Sequence, residues 1–241
     1  MNKSIFNWSG GKDSSLTLYH VLKDQSYDVK YLLTTVNAQY QRISMHGVRV
    51  DLLEQQAQSL GLPLYKVMIQ EVPTMETYND LMRETLERFI QEGINHSIYG
   101  DIFLEDLKQY RENQLAKVGM KAVFPIWQRS TAQLAQEFID LGFKAIIVCV
   151  DERHLDQSFA GREFDQQFLG DLPSAADPCG ENGEFHTFVY DGPIFKTPIK
   201  VHRGEIVYKT YKKPAAVAAG TNSYQASCED MNTGFWYCDL T

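Results

Sequence analysis

Ile5-Phe6-Asn7-Trp8-Ser9-Gly10-Gly11-Lys12-Asp13-Ser14-Ser15, near the N-terminus, decides the reading of this chain. The apolar run that ends at Trp8 predicts a strand over 3–8. Helix-favouring residues at apolar spacing predict a helix over 14–24. The glycines between them permit a tight turn close to a ligand, and the N–H groups of such a turn make an anion cradle. The helix start adds its unpaired N–H groups and its positive end. Ser9 and Ser14 bring hydroxyl donors, Lys12 neutralises phosphate charge, and Ser15 completes the run. Asp13 suits a first helical turn and is also able to position a magnesium ion through water. A glycine pair alone would signal an ordinary capped turn. Strand, serine, two glycines, lysine, aspartate and serine in direct succession signal phosphate.

Outward from this loop, strands are predicted at 3–8, 29–36, 63–69, 95–99, 121–124 and 145–150. Helices are predicted between them at 14–24, 47–60, 76–92, 103–118 and 131–141. Such alternation makes βαβ units, so the fold class is α/β with a doubly wound, mostly parallel, Rossmann-like sheet. Ligands of such sheets gather at the carboxyl ends of the strands. After residue 152 glycine and proline punctuate the chain and helical periodicity fades. Strands are predicted there at 185–190, 194–202 and 205–211, the last two joined as a hairpin around Arg203-Gly204. The organisation expected is therefore a phosphate-binding α/β domain over 1–152 and a small α+β domain over 153–241. The terminal stretch 214–241 carries Phe235-Trp236-Tyr237, three aromatics that predict packing back onto the protein or into an interface.

Composition narrows the classes. The 241 residues are 44% hydrophobic and 22% charged, enough apolar content for a sizeable core without disulfides. With 23 basic against 31 acidic residues the net charge is −8, which disfavours nucleic acid as a partner. Against that stands a local basic stretch, Lys200, His202, Arg203, Lys209, Lys212 and Lys213. No apolar run approaches membrane-spanning length and the start carries no secretory pattern, so the expected location is the cytoplasm. Cys149, Cys179, Cys228 and Cys238 are too widely spaced for a disulfide scaffold or a structural zinc site. Cys149 reads as a buried thiol.

The loop spacing matches neither the Gly-x-x-x-x-Gly-Lys-Ser/Thr phosphate loop nor the Gly-x-Gly-x-x-Gly dinucleotide fingerprint. Ser9–Ser14 instead resembles the pyrophosphate loop of the N-type ATP pyrophosphatases. Further segments carry a closer resemblance: Met45-His46-Gly47-Val48-Arg49, Gly100-Asp101-Ile102, Tyr110-Arg111-Glu112, Pro125-Ile126-Trp127, and Cys179-Gly180-Glu181-Asn182-Gly183-Glu184-Phe185-His186-Thr187-Phe188. Over about residues 3–212 the chain looks like the diphthine–ammonia ligase family, and the Gly180–Thr187 segment is the most distinctive part. The resemblance implies an AMP-forming ligase that uses ATP and Mg2+ to adenylate an acceptor carboxylate, which ammonia then amidates. In eukaryotes and archaea that acceptor is diphthine on elongation factor 2. The short length, Asn182 and His186 resemble bacterial members, which implies another acceptor, either a small molecule or a protein carboxylate. No glutaminase module is recognisable, so ammonia is expected free or from a separate protein.

The residues have their own readings beside this. Asp101 at a strand end suits a metal or substrate, or an N-cap for the helix predicted from 103. Arg49 in a first helical turn opposes the helix dipole and needs a phosphate or carboxylate to face, unless it is simply exposed. His46 is a donor to a substrate or merely a helix flank. Arg111 and Glu112 read as an exposed charged pair if they do not serve the site. Glu184 and His186, two apart in a predicted strand, would share a face and hold an acceptor or take a proton from ammonia. The alternative there is a polar turn at the start of an edge strand. The expected catalytic set is thus Lys12, Asp101, Glu184 and His186. Ser9, Gly10, Gly11, Lys12, Asp13, Ser14, Ser15 and Arg49 hold the nucleotide, with Asp13 and Asp101 for the metal. Competing functions are a tRNA-modifying ATP pyrophosphatase and a non-catalytic ATP or AMP sensor. A homodimer is the default assembly.

Overall fold

The computed structural model describes residues 1–43, 47–70, 74–211 and 233–241. Strand β1 (Asn2–Asn7) shows why the first sheet forms. Alternation along it turns Ile5 into one apolar cluster and Phe6 into another, both fully buried, so helices must cover both faces. β1 pairs in parallel with β2 (Tyr27–Asn37) on one side and with β5 (His96–Ile98) on the other. β4 (Leu64–Ile69) extends the sheet beyond β2, and β6 (Lys121–Val123) extends it beyond β5, also in parallel. A two-residue strand β3 (Arg42–Ile43) returns antiparallel on β2.

Helices α1 (Lys12–Asp24), α2 (Val50–Leu60), α3 (Met75–Gln91), α4 (Glu105–Lys117) and α5 (Thr131–Asp140) alternate with these strands. Leu86 and Phe89 of α3 and Leu115 of α4 pack on the Ile5 side. Helix α1 is buried from two directions: Leu18 and Val21 join the Phe6 cluster, while Leu16 joins a second cluster with β7 and β8 residues. The α/β class with a mostly parallel sheet is therefore the observed one.

The second sheet is antiparallel, in the order β8 (Phe185–Asp191), β7 (Lys144–Asp151), β10 (Thr233–Leu240), β9 (Arg203–Tyr211). Strand β7 lies inside this sheet, between β8 and β10, rather than closing the parallel one. Its neighbours alternate between clusters, Ala145 and Ile147 in one and Ile146 and Val148 in the other. A strand covered on both faces reads as a continuous apolar run whichever sheet it joins. A cut at 152 would thus separate β7 from the sheet it belongs to.

The predicted strand at 194–202 is absent. Pro193 and Pro198 interrupt its hydrogen bonding, and the segment clips to α2 instead. Ser59 Oγ donates to the Thr197 carbonyl at 2.6 Å and the Lys196 amide donates to the Ser59 carbonyl at 3.1 Å. The partner of β9 is β10, from the far end of the chain. That places Phe235 and Tyr237 in the sheet at 7% and 8% exposure, so the aromatic run packs back. Residues 214–232 of the tail, with Cys228, lie outside the described residues, as do Met45, His46, Lys212 and Lys213. A short helix α6 (Gln166–Asp171), capped by Asp165, completes the C-terminal half.

Candidate nucleotide-binding and catalytic site

The turn after β1 is clamped from beneath. Gly10 adopts φ 77°, and a Cβ there would sit 2.7 Å from Gln56 Oε1 and 2.8 Å from Leu53 Cδ2. Gln56, fully buried on α2, explains the closeness. Its Nε2 donates to the carbonyls of Gly10 at 3.0 Å and Val189 at 2.6 Å, and its Oε1 accepts from Trp8 Nε1 at 2.9 Å. The Val189 amide donates to the Gly10 carbonyl at 2.9 Å. Two sheets and one helix therefore fix the loop.

Helices α3, α5 and α6 carry side-chain caps from Thr74, Ser130 and Asp165. The N-cap of α1 is Gly11, which has no side chain to cap the helix, and the first α1 amide turns instead to a residue of β8. A Cβ on Gly11 would lie 3.1 Å from the Thr187 carbonyl. Thr187 Oγ1 accepts from the Lys12 amide at 2.9 Å, Ser9 Oγ accepts from the Gly11 amide at 3.3 Å, and Ser14 Oγ donates to the Gly11 carbonyl at 2.9 Å. The Ser15 amide closes the first helical turn on the Gly11 carbonyl at 3.0 Å, and its side chain is fully buried. Ser9, Gly11, Lys12, Asp13 and Ser14 line one wall of a cavity of about 1500 Å³. Gly10 and Ser15 do not line it; they support the wall.

Lys12 is 3% exposed, and its Nζ lies 2.7 Å from both carboxylate oxygens of Asp13. Burial opposes its charge, but Asp13, with Cys179 and Glu181 nearby, outweighs burial and raises its pKa. The ammonium stands 5.8 Å from the centre of the Phe185 ring. Asp101 follows β5 and also lines the cavity. Its Oδ2 lies 2.7 Å from Arg111 Nε, and its Oδ1 accepts from Nη2 at 3.1 Å. Burial raises the Asp101 pKa against the pull of Arg111. Arg111 lies 4.3 Å above the centre of the Tyr99 ring, so it is held on the cavity wall with Asp101 rather than standing as an exposed pair with Glu112. Helix α4 starts at Glu105 with Leu104 as its N-cap, so Asp101 caps nothing. Gly100 lets this strand end approach α1: a Cβ there would lie 3.2 Å from the Asp13 carbonyl and the Ser14 amide nitrogen.

The Gly180–Thr187 segment divides its residues differently from the sequence reading. Strand β8 starts at Phe185, so the alternation that orients His186 does not extend back to Glu184. His186 lines the cavity. Glu184, 1% exposed, turns inward and accepts from the Asp177 amide at 2.9 Å, the Asn182 amide at 3.0 Å and Asn182 Nδ2 at 3.0 Å. It shapes the loop. The carboxylate that faces the cavity is Glu181, held at the turn tip between Gly180 (φ 68°) and Gly183 (φ 89°). Its Oε1 accepts from the amides of Ile102 at 2.9 Å and Phe103 at 3.3 Å. Burial, then the charge of Asp13, pushes its pKa up to about 7. Two glycines three apart were the available signal, since they mark a tight turn whose intervening side chains project.

Arg49 does not join this cavity. It precedes α2 as its N-cap and meets a carboxylate of the chain itself, with Nη2 2.5 Å from Asp239 Oδ2. Arg42 Nη1 reaches the other oxygen at 2.8 Å. Cys179 lines the cavity, but burial pushes its thiol up to about 12 and its Sγ donates to the Thr131 carbonyl at 3.3 Å, so it is inert. Cys149 is buried and likewise raised to about 12. The basic stretch is broken up, as Arg203 pairs with Glu163 and Lys209 lies over Tyr237. Among the described residues no helix is long and apolar enough to cross a membrane, and no three His, Cys, Asp or Glu side chains group around a metal position.

A glycine-cradled, lysine-bearing loop at the carboxyl end of a parallel sheet, facing the half-buried carboxylates of Asp101 and Glu181, gives the chain an α/β fold of the N-type ATP pyrophosphatase kind. Residues 2–122 match the diphthamide synthase N-terminal domain and residues 130–217 the diphthamide synthase C-terminal domain. The chain belongs to the diphthamide synthase family, and its class is that of the ATP-dependent ammonia ligases. The diphthine–ammonia ligase of Bos taurus is 31% identical over 198 residues, 74% of this chain and 71% of that protein. The Homo sapiens enzyme of the same name is 30% identical over equal shares. The Schizosaccharomyces pombe enzyme is 26% identical over 83% of this chain but only 36% of its own length.

Proposed function

We propose that the protein binds ATP with its phosphates on the Ser9–Ser14 loop, adenylates an acceptor carboxylate, and amidates it with ammonia. The carrying observation is the glycine-led start of α1 with Lys12, which shares one cavity with Asp101 and Glu181. At about 1500 Å³ that cavity exceeds the roughly 300–1,000 Å³ of an ordinary single-ligand site, which leaves room for an acceptor beside the nucleotide. The acceptor oxygen attacks the α-phosphorus, the bond to the bridging oxygen breaks, and pyrophosphate leaves. Ammonia then attacks the acyl carbon, loses a proton, and displaces AMP. Lys12 and the α1 amides stabilise charge on the transferred phosphorus, and Thr187 holds the Lys12 backbone in register.

Asp13 and Asp101 are hard oxygen donors on the cavity wall, already balanced by Lys12 and Arg111. They fit a magnesium ion that arrives with the phosphates rather than a closed protein cage. When bound, it supplies charge neutralisation of the phosphate oxygens. Strand β8 offers His186, and the turn before it Glu181, toward the acceptor side, and the acceptor is a small molecule or a protein carboxylate. The setting is cytoplasmic.

The test is product analysis with ATP, magnesium, ammonium and fractionated cell metabolites and proteins. AMP and pyrophosphate formed with one fraction, and lost in Lys12→Ala, support the reading. ADP and phosphate, lost in the same variant, would sink adenylation.

A further inference from the structure

We infer that β9 is a homodimer seam, on which two copies of the chain pair antiparallel about Val207 and join their second sheets into one eight-stranded sheet. Strand β9 is terminal in its sheet. One edge is bonded to β10 along its length, and among the described residues no strand takes the other. Residues 203–206 and 208–210 are exposed and only Val207 is half-buried. Ile206 and Tyr208 stand 37% and 44% exposed, two of the few large apolar side chains outside the core. An edge rich in β-branched and aromatic residues is what a sheet protein ordinarily blunts or covers.

The occupant follows from the strand's own charge pattern. In an antiparallel pair, opposed residues turn their N–H and C=O groups to the same side, so a two-fold axis must fall on a residue rather than between two. With the axis on Val207, Glu205 of each copy opposes Lys209 of the other, and Ile206 opposes Tyr208. Both favourable contacts occur twice by symmetry. The neighbouring positions fail. An axis on Ile206 sets Arg203 against Lys209, an axis on Glu205 sets that carboxylate against itself, and an axis on Lys209 does the same with two ammonium groups. An axis on Tyr208 leaves Lys209 opposite Val207, with no ion pair.

The side chains that would meet are already held. Tyr208 packs at 4.7 Å from Trp236, and its hydroxyl donates to Glu152 at 2.8 Å. Val207 packs on the Cys149, Phe235 and Tyr237 cluster. Ordering the seam therefore costs little side-chain entropy. The aromatic run of β10 lies inside the sheet and is consumed there, so the strand beside it carries the contact. This seam stands apart from the cavity and is independent of the proposed reaction.

Sedimentation velocity on the full chain over a concentration series tests it. The wild type forms a dimer. Glu205→Lys and Lys209→Glu, both at exposed positions, each weaken it at least about tenfold because two pairs reverse at once. The double variant Glu205→Lys/Lys209→Glu restores it. Hydrogen exchange on the unaltered protein gives a second reading, with amides of β9 gaining protection as concentration rises. A wild type that stays monomeric, a dimer indifferent to both single reversals, a double variant that fails to recover, or β9 amides insensitive to concentration would each overturn the seam.

Discussion

Replacing Gln56 by leucine keeps the approximate volume of a fully buried side chain and removes every polar contact that it makes. Three hydrogen bonds disappear: to the Gly10 carbonyl, to the Val189 carbonyl, and from Trp8 Nε1. The Gly10 carbonyl retains the Val189 amide at 2.9 Å, so it stays satisfied. The Trp8 indole N–H, on a residue 2% exposed, and the Val189 carbonyl, on a residue 0% exposed, lose their side-chain partner. At about 1–3 kcal/mol per buried group left unpaired, the cost for the two is about 2–6 kcal/mol. Against a typical total of roughly 5–15 kcal/mol that is a large share, and urea denaturation with an unchanged m-value would read it. The same substitution frees the loop that Gly10 anchors, so ATP affinity measured by calorimetry at a temperature where the variant is folded falls as well. A stability loss below about 0.5 kcal/mol, the level of an ordinary surface change, together with unaltered ATP affinity would refute the view that Gln56 fixes the loop.

Gly10→Ala puts a Cβ against Gln56 and Leu53 at positive φ, and is expected to cost about 2 kcal/mol or more and to impair ATP binding. Gly170→Ala, in exposed helix α6 with nothing within 4 Å of the new Cβ, is expected to be neutral or to stabilise by up to about 1 kcal/mol; thermal melts of both variants check the contrast. Asp239 loses solvent on folding, but Arg49 and Arg42 more than offset this and hold its pKa at about 2, below the ordinary 3.8. Its contribution is therefore full above about pH 4 and disappears as pH falls through about 2. Partial exposure of the three groups discounts it to about 1–2 kcal/mol. Asp239→Asn should be less stable than wild type by that amount at pH 7, with the gap closing toward pH 2 in urea titrations.

Local chemistry made much of this protein legible before its fold was known. The loop from Ser9 to Ser14 is contiguous, and its lysine and serines lie on the cavity wall after β1 where the sequence puts them. Strands β1, β2, β4, β5 and β6 follow from alternating apolar runs between helical segments. What failed to read was long-range. β7 is apolar on both faces, so its run says nothing about which sheet it enters. The partner of β9 is β10, on the other side of residues 212–232, and no local pattern names it. Pro193 and Pro198 were visible signals against a strand at 194–202. In the Gly180–Thr187 segment the chemistry was legible and the division of labour was not. Period-two alternation was carried one residue too far, so Glu184 was grouped with His186, whereas Glu184 closes the turn and Glu181 faces the cavity. Arg49 shows the same limit. It needed an anion, and the anion is Asp239, 190 positions away.

Acceptor-dependent exchange of labelled pyrophosphate into ATP, with magnesium and without ammonium, tests the central claim most directly. An enzyme that forms an acyl-adenylate must run that step backward when pyrophosphate is supplied and the second substrate withheld. The account predicts exchange with the acceptor-containing fraction alone, abolished in Lys12→Ala and drained into AMP when ammonium is added. Saturating ATP binding with no exchange from any fraction, or exchange that survives loss of Lys12, would contradict it.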